Sequence, residues 1–335
     1  MAYRQDDPIL AVRPYRFLCI VCSLGDDESV PREARFKELH ERIKNTPDMP
    51  IALHCNAGDE FSYQDPGLEY DTPEGPEFNR KRDMDMLQRL DLAPGSILPA
   101  RVLLGRLLKA IPSVSGICGY DTATSEAWRG CSRAGSGYYE DGHAKGIDAI
   151  IPPRNQEVME KDKRISLQNM YHADAITIRP HILLCAVAQY GGGTRPPFEP
   201  DNLPEMIQHL LKEPDTPITL VSGADWMMCA PCPSRVPERN ACMCGAICSG
   251  GLYNEMKDLN TLQALGLTYG TTMKASEIYA LIFQRVPNTA GICALDNTAP
   301  DISVWRDGCG GKSDPCPDYE KGREMLMKEF GLPLE

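Results

Sequence analysis

An internal duplication constrains this chain more than any other sequence feature. Six blocks of the first half recur in the second half in the same order, with nearly constant spacing. The pairs are RPYRFLC (13–19) with RPHILLC (179–185), PDMPIAL (47–53) with PDTPITL (214–220), LQRLDLAPG (87–95) with LQALGLTYG (262–270), GIC (116–118) with GIC (291–293), WRGC (128–131) with WRDGC (305–309), and YE (139–140) with YE (319–320). Conserved order and spacing predict two copies of one fold.

The repeat sets the expected domain plan. We predict a first repeat over 7–146, a linker over 147–172 and a second repeat over 173–335, in an α+β fold that is mostly helical with few short strands. In the second half, periodicity and turn signals predict the elements in order. They are a strand at 175–179, an apolar run containing Cys185, a helix at 202–213 capped by Asp201 or Asn202, a strand within 216–223, and helices at 253–265 and 272–285.

Composition narrows the possible environments and partners. The chain has 335 residues and a net charge of −12, and its sequence shows no local basic patch, so binding to nucleic acid is not expected. No apolar stretch is long enough for a membrane span and the N-terminus does not resemble a secretory signal, so a cytoplasmic location is predicted. A reducing cytosol disfavours disulfides, and the 14 cysteines therefore point to metal binding or redox chemistry, with some filling core space.

The strongest chemical signal is a cysteine-rich loop in the second repeat, MMCAPCPSRVPERNACMCGAICSGG (227–251). Cys229 and Cys232 form a C-x-x-C motif, a spacing that lets two thiolates bind one centre from a single turn. Cys242, Cys244 and Cys248 follow within the same loop. Five cysteines in a polar segment rich in Pro and Gly favour metal binding over inert packing.

Ligands from distant sequence would complete such a centre. Cys293 and Cys309 are candidates, because both belong to duplicated motifs and Cys309 lies among glycines that allow close backbone approach. In the first repeat, Cys19, Cys118 and Cys131 occupy the matched positions, but no C-x-x-C is present. With His54 and Cys55 nearby in sequence, this repeat could form a three-thiolate or mixed site with an open position, or bind nothing. Buried, inert thiols compete as an explanation for Cys19 and Cys185.

The sequence leaves the identity of the metal open between iron and zinc. Tetrahedral zinc accepts the same thiolates, whereas a cysteine count above four and the Pro- and Gly-rich loop favour an iron–sulfur cluster, most simply of the 4Fe-4S type. A thioredoxin-type dithiol is disfavoured, because no strand leads into a helix that begins at Cys229. We interpret His181 as a residue at the start of a helix whose ring nitrogen is satisfied by a hydrogen bond. The alternative is that it is a functional group specific to the second repeat.

The segments RPHILLC, CAPCP, GIC and WRDGC resemble a family of small prokaryotic domains of unknown function that are described as predicted iron–sulfur-binding proteins. The resemblance covers about 150 residues of the second half, and it implies Cys185, Cys229, Cys232, Cys293 and Cys309 as ligands. The second histidine of the family motif is Ile182 here, and the first half resembles a diverged copy without C-x-x-C.

The sequence therefore predicts a cytoplasmic iron–sulfur protein that acts in electron transfer, or as an iron–sulfur-dependent oxidoreductase or sulfur-transfer enzyme. Its partner would be a redox protein or a small-molecule substrate, with no membrane or nucleic acid involved. Four thiolate ligands suit electron transfer, whereas three leave an iron position free for substrate. The alternative is a zinc-stabilised structural or binding module without catalysis.

Overall fold

A computed structural model describes residues 9–26, 34–55, 74–236, 241–242, 250–293 and 315–333 of the chain. The chain divides into two compact units, with the boundary between Pro153 and Arg154. This boundary falls inside the predicted linker, whose last part forms a helix of the C-terminal unit. The predicted α+β class is confirmed: both units consist of helices packed around a small sheet.

The N-terminal unit has a three-stranded sheet in the order β1-β2-β3. Its elements are β1 (Leu10–Val12), α1 (Tyr15–Gly25), α2 (Ala34–Asn45), β2 (Pro50–Leu53), α3 (Pro76–Leu90), β3 (Ile97–Pro99), α4 (Ala100–Ala110) and α5 (Tyr138–Ala144), with 3-10 turns at Glu126–Trp128 and Ile147–Ala149. Strands β1 and β2 are parallel, with Leu10 opposite Ile51. Strands β2 and β3 are antiparallel, with Ile51 opposite Leu98.

The C-terminal unit contains a sheet of the same design, in the order β4-β5-β8. Its elements are α6 (Gln156–His172), β4 (Ile176–Ile178), α7 (Pro180–Gly191), α8 (Leu203–Lys212), β5 (Pro217–Leu220), α9 (Trp226–Cys229), β6 (Arg235–Val236), β7 (Ala241–Cys242), α10 (Gly250–Leu265), β8 (Thr272–Lys274), α11 (Ala275–Arg285) and α12 (Pro317–Glu329). Ile176 lies opposite Ile218 in the parallel pair, and Ile218 opposite Met273 in the antiparallel pair. Strands β6 and β7 form a separate two-stranded sheet.

Local sequence explains most of these elements. In α8, Leu203, Met206, Ile207 and Leu210 follow helical spacing and all four are buried, as an amphipathic helix requires. The carboxylate of Asp201 accepts a hydrogen bond from the Leu203 amide at 2.9 Å, which confirms a capping role for this side chain.

One predicted boundary is wrong. Residues 272–274 form strand β8 rather than the first turn of the following helix, which begins at Ala275. The reason is tertiary: the backbone of this segment pairs with β5, and the Ala275 amide donates to the Thr216 carbonyl at 2.9 Å. In the described part of the chain, no helix has the length and apolar character needed to cross a membrane.

Glycines permit the closest helix contact in each unit. Helix α7 crosses α12 at Gly191 and Gly322, where an added Cβ would lie 1.9 Å from the Asp318 carbonyl oxygen and 2.0 Å from the Val187 carbonyl oxygen, respectively. Any side chain there would overlap backbone atoms. The same device joins α1 to α5 in the N-terminal unit, at Gly25 and Gly142.

Candidate metal centre

A buried polar network starts where β4 passes into α7. The Arg179 guanidinium contacts Asp258 Oδ2 through Nε at 2.7 Å and through its terminal nitrogen at 2.6 Å. The other oxygen of Asp258 accepts the His181 amide at 3.1 Å and lies 2.6 Å from His181 Nδ1. All three residues are buried. One carboxylate of α10 therefore fixes both the start of α7 and the orientation of the His181 ring, which is the satisfied ring nitrogen expected from the sequence.

The C-x-x-C turn is held rigidly at the end of α9. Asp225 caps this short helix by accepting the Met228 amide at 3.0 Å, and the Cys232 amide donates to the Cys229 carbonyl at 3.0 Å. From outside the turn, Arg154 donates to the carbonyls of Ala230 and Cys232 at 2.8 and 2.6 Å. The turn is thus fixed by its own backbone and by a guanidinium whose charge Asp162 balances at 2.8 Å.

Cys242 lies close to the C-x-x-C pair. The β6–β7 pairing places it opposite Arg235, and Asn254 Nδ2 lies 3.4 Å from its sulfur as a hydrogen-bond donor. Burial raises the pKa of both Cys229 and Cys232, and charge on Cys242 raises each pKa further. The structure therefore places three of the predicted thiols, all partly buried, close enough to interact electrostatically.

The structure describes two of the other predicted cysteines of this unit. Cys185 lies on α7, one turn after His181, and Cys293 follows α11; both pack against the same hydrophobic core as Cys229. The Cys293 carbonyl accepts a hydrogen bond from the Tyr253 hydroxyl. Cys244, Cys248 and Cys309 lie outside the described residues.

The N-terminal unit brings Cys19, Cys118 and Cys131 together. The Cys131 amide donates to the Cys118 carbonyl at 2.8 Å, and charge on either of these cysteines raises the pKa of Cys19, which burial raises most. Cys22, which is not among the predicted ligands, also interacts with Cys19 and Cys131. Its spacing of three residues from Cys19 on α1 is the signal that places both thiols on one helix face.

A buried cation accompanies these thiols. The Arg82 guanidinium is 1% exposed and stacks over the Tyr15 ring at 3.9 Å. It lowers the pKa of Cys19 and Cys118 against the larger effect of burial, and it hydrogen-bonds to Cys118. A guanidinium stays charged in proteins, so Arg82 partly offsets the burial that keeps both thiols protonated.

Cys55 is separate from this group. Burial raises its pKa to about 11, and the charged groups that act on it are Asp83, Arg13 and Arg80, with no thiol among them in the described residues. Its predicted place among the ligands thus gains no support from the geometry.

The chemistry of the cysteine side chains in the C-terminal unit fits a metal centre that is bound by thiolates. Cys229, Cys232 and Cys242 supply partly buried thiols, and the Arg179 guanidinium lowers the pKa of Cys229 against the effect of desolvation. A bound metal would replace the thiol protons that burial otherwise retains. Across the described ranges, no three His, Cys, Asp or Glu side chains are already grouped around the position of a single metal ion.

The chain matches no known protein-family model, no curated protein and no solved structure. The resemblance to predicted iron–sulfur proteins therefore stays a prediction from the sequence.

Proposed function

We propose that this protein is an iron–sulfur redox protein whose cluster is bound by cysteines of the C-terminal unit. The observation that carries the proposal is that Cys229, Cys232 and Cys242 lie close enough to affect one another electrostatically, in a partly buried site that also contains cations. Remaining ligands would come from Cys185, Cys293 and the predicted cysteines outside the described ranges.

Charge balance supports this proposal. A thiolate-bound cluster is anionic, and burying that charge is costly unless cations and hydrogen-bond donors lie close by. The guanidinium groups of Arg179 and Arg235 are both near enough for a thiolate at Cys229 to interact with them favourably. Asn254 adds a donor to the sulfur of Cys242 at 3.4 Å.

The cysteine count favours a cluster over a single zinc ion. A cluster binds its thiolates at separate iron atoms, whereas one tetrahedral zinc requires only four ligands around a single point. The second half of the chain contains more than four cysteines. The zinc-stabilised module remains the alternative.

When bound, a cluster supplies one-electron transfer. The residues of this chain would hold and tune it. Arg154 fixes the backbone of the C-x-x-C turn, so the two thiols stay positioned. Donation from Asn254 to a ligand sulfur and the nearby charge of Arg179 are the kinds of contact that set the reduction potential.

The test is metal analysis of anaerobically purified protein, together with its visible absorption spectrum. We expect iron and acid-labile sulfide in comparable amounts and a broad visible band. Cys229→Ser and Cys232→Ser should each lose most of the iron, whereas Cys55→Ser, at a buried thiol with no cysteine neighbour in the described residues, should retain it. Stoichiometric zinc in colourless protein would overturn the cluster in favour of the zinc alternative, and protein without metal would overturn both.

A further inference from the structure

Cys118 and Cys131 of the N-terminal unit belong to two segments that pack directly against each other. The Cys131 amide donates to the Cys118 carbonyl at 2.8 Å, and the Ala134 amide donates to the Cys131 carbonyl at 3.0 Å. Gly130 allows this approach, because it has a φ of 86° and an added Cβ would lie 2.9 Å from the Cys118 carbonyl oxygen. The backbone therefore fixes the separation of the two cysteines.

That separation suits a disulfide bond. Because a hydrogen bond of 2.8 Å joins the two residues, standard bond lengths limit the distance between their α-carbons to at most about 6.7 Å. Disulfides join α-carbons that lie about 4.4 to 6.8 Å apart. The backbone thus does not have to move to bring the two α-carbons within the reach of a disulfide.

The two side chains also face the same region. Both pack against the core of the N-terminal unit, and both thiols interact with the guanidinium of Arg82. A charge on Cys131 raises the pKa of Cys118 more than a charge on Cys22 does, which indicates that Cys131 is the nearer thiol. Among the described residues, no backbone hydrogen bond fixes α1, which carries Cys19 and Cys22, against either cysteine of the pair.

We propose that Cys118 and Cys131 form a reversible disulfide, so that the N-terminal unit carries a dithiol redox site of its own. This inference is independent of the proposed function, because both cysteines belong to the unit without the C-x-x-C motif. The oxidant is a low-molecular-weight disulfide such as oxidised glutathione. Disulfides that form reversibly and sense redox conditions are the kind that occur even in a reducing cytosol.

The exchange proceeds in two steps. Cys131 is the more exposed of the two residues, so its thiolate attacks the oxidant, forms a mixed disulfide and releases one small thiolate. The Cys118 thiolate then attacks the sulfur of Cys131 and displaces the second small thiolate. The two cysteine protons pass to the released thiolates, and the two electrons that the cysteines lose reduce the oxidant to two thiols. The Arg82 guanidinium assists, because it partly opposes the burial that keeps both cysteines protonated.

The bond would tether an exposed loop. Residues 121–127 between the two cysteines are exposed, and the Trp128 ring that follows them lies edge-on to Phe78 of α3, with centroids 6.5 Å apart. Trp128 also lines an open groove of about 600 Å³, together with Lys81 and Met84 of α3. Oxidation closes the loop into a covalent ring and so restricts the motion of this wall of the groove.

Peptide mapping of the full-length protein tests the bond directly. The protein is incubated with reduced or oxidised glutathione, alkylated, and digested with trypsin under non-reducing conditions. Trypsin cleaves after Arg129, between the two cysteines, so their peptides stay together only when a disulfide joins them. After oxidation we expect peptides 110–129 and 130–133 to be linked, with neither cysteine alkylated, and after reduction we expect the link to be lost.

Two serine variants distinguish this pairing from the others. Cys131→Ser should abolish the linked peptides, whereas the control Cys22→Ser should keep them. Unlinked Cys118 and Cys131 in oxidised wild-type protein, or a link from Cys131 to Cys19 or Cys22, would overturn the proposal. Metal that is bound in the purified protein but lost from Cys131→Ser with an unchanged circular dichroism spectrum would also overturn it, because the thiols would then be ligands. The wild-type map alone shows whether the bond forms, so the test does not depend on the folding of either variant.

Discussion

Asp258 binds Arg179 through two nitrogens of the guanidinium, at 2.7 and 2.6 Å, across 79 residues of sequence. The N-terminal unit repeats this relationship, because Arg13 Nε binds Asp83 Oδ2 at 2.9 Å. In both units the arginine precedes the first helix after a strand, and the aspartate lies on the helix before the last strand of the sheet. The duplicated sequence thus carries a duplicated ion pair that joins two helices in each core.

Neutralising either aspartate should be strongly destabilising. Asp258→Asn leaves the buried guanidinium with only the exposed Glu255 carboxylate, at 3.7 Å, as a counter-charge, and we expect a loss of about 3–5 kcal/mol in the free energy of unfolding of that unit. Asp83→Asn should behave similarly in the other unit. Denaturant titration measures both. The exposed pair of Lys274 and Asp215 supplies the control, since Lys274→Gln should change stability by less than about 0.5 kcal/mol.

The glycine contact between α1 and α5 should not tolerate even a methyl group. In Gly142→Ala, the new Cβ would lie 2.0 Å from the Val21 carbonyl oxygen, so the helices must separate. We expect a destabilisation of about 1–3 kcal/mol in thermal or denaturant unfolding. Gly135→Ala is the matched control, because nothing lies within 4 Å of its added Cβ. Equal effects of the two substitutions would contradict close packing as the cause.

Acid should destabilise the metal-free protein through His181. Burial lowers the pKa of His181 to about 4, despite the favourable contact with Asp258. Because the folded-state pKa lies below the ordinary value of about 6.5, protonation favours the unfolded chain, and stability falls as the pH drops from about 6.5 to 4. The loss should approach about 3 kcal/mol.

Denaturant titrations of chelator-treated protein at several pH values measure this loss. His181→Gln should show a smaller loss over the same pH range. Asp83 and Asp225, whose pKa burial raises to about 6, act in the opposite direction over this range, so the difference between the two proteins measures the contribution of the ring. An identical pH dependence of the two proteins would contradict a lowered pKa of His181.

Cys22 should react slowly with alkylating agents despite its partial exposure. Burial raises its pKa to about 11, and Arg133 only partly opposes this effect. Because this pKa lies about two units above that of an ordinary thiol, the fraction of Cys22 present as the reactive thiolate is about 100-fold smaller. Mass spectrometry after timed iodoacetamide labelling, with urea-unfolded protein as the reference, measures the ratio. Rapid labelling in the folded state would show that Arg133 outweighs burial.

Removing the guanidinium that fixes the C-x-x-C turn should weaken metal binding without removing a ligand. Arg154→Ala deletes the donors to the carbonyls of Ala230 and Cys232, and we expect iron loss to a chelator to become about tenfold faster. Arg164→Ala, at an exposed position on α6, is the control. Unchanged iron retention in Arg154→Ala would show that the turn holds its shape alone.

The repeat, the α+β class and the amphipathic helices could all be predicted from the amino-acid sequence, because each depends on local periodicity or on direct comparison of the two halves. The buried face of α8 follows from the spacing of Leu203, Met206 and Leu210. The C-x-x-C turn was equally visible, since both of its thiols lie within four residues.

Which distant groups come into contact is visible only in the folded chain. A three-residue strand such as β8 is too short to show an alternating hydrophobic pattern in the sequence. Its pairing with β5 is therefore seen only in the folded structure. Cys22 joins its neighbours through the packing of α1, and Asn254 reaches the sulfur of Cys242 through the packing of α10. The physical reason is the same in each case: chain topology, rather than local propensity, brings buried polar groups from separate elements into contact.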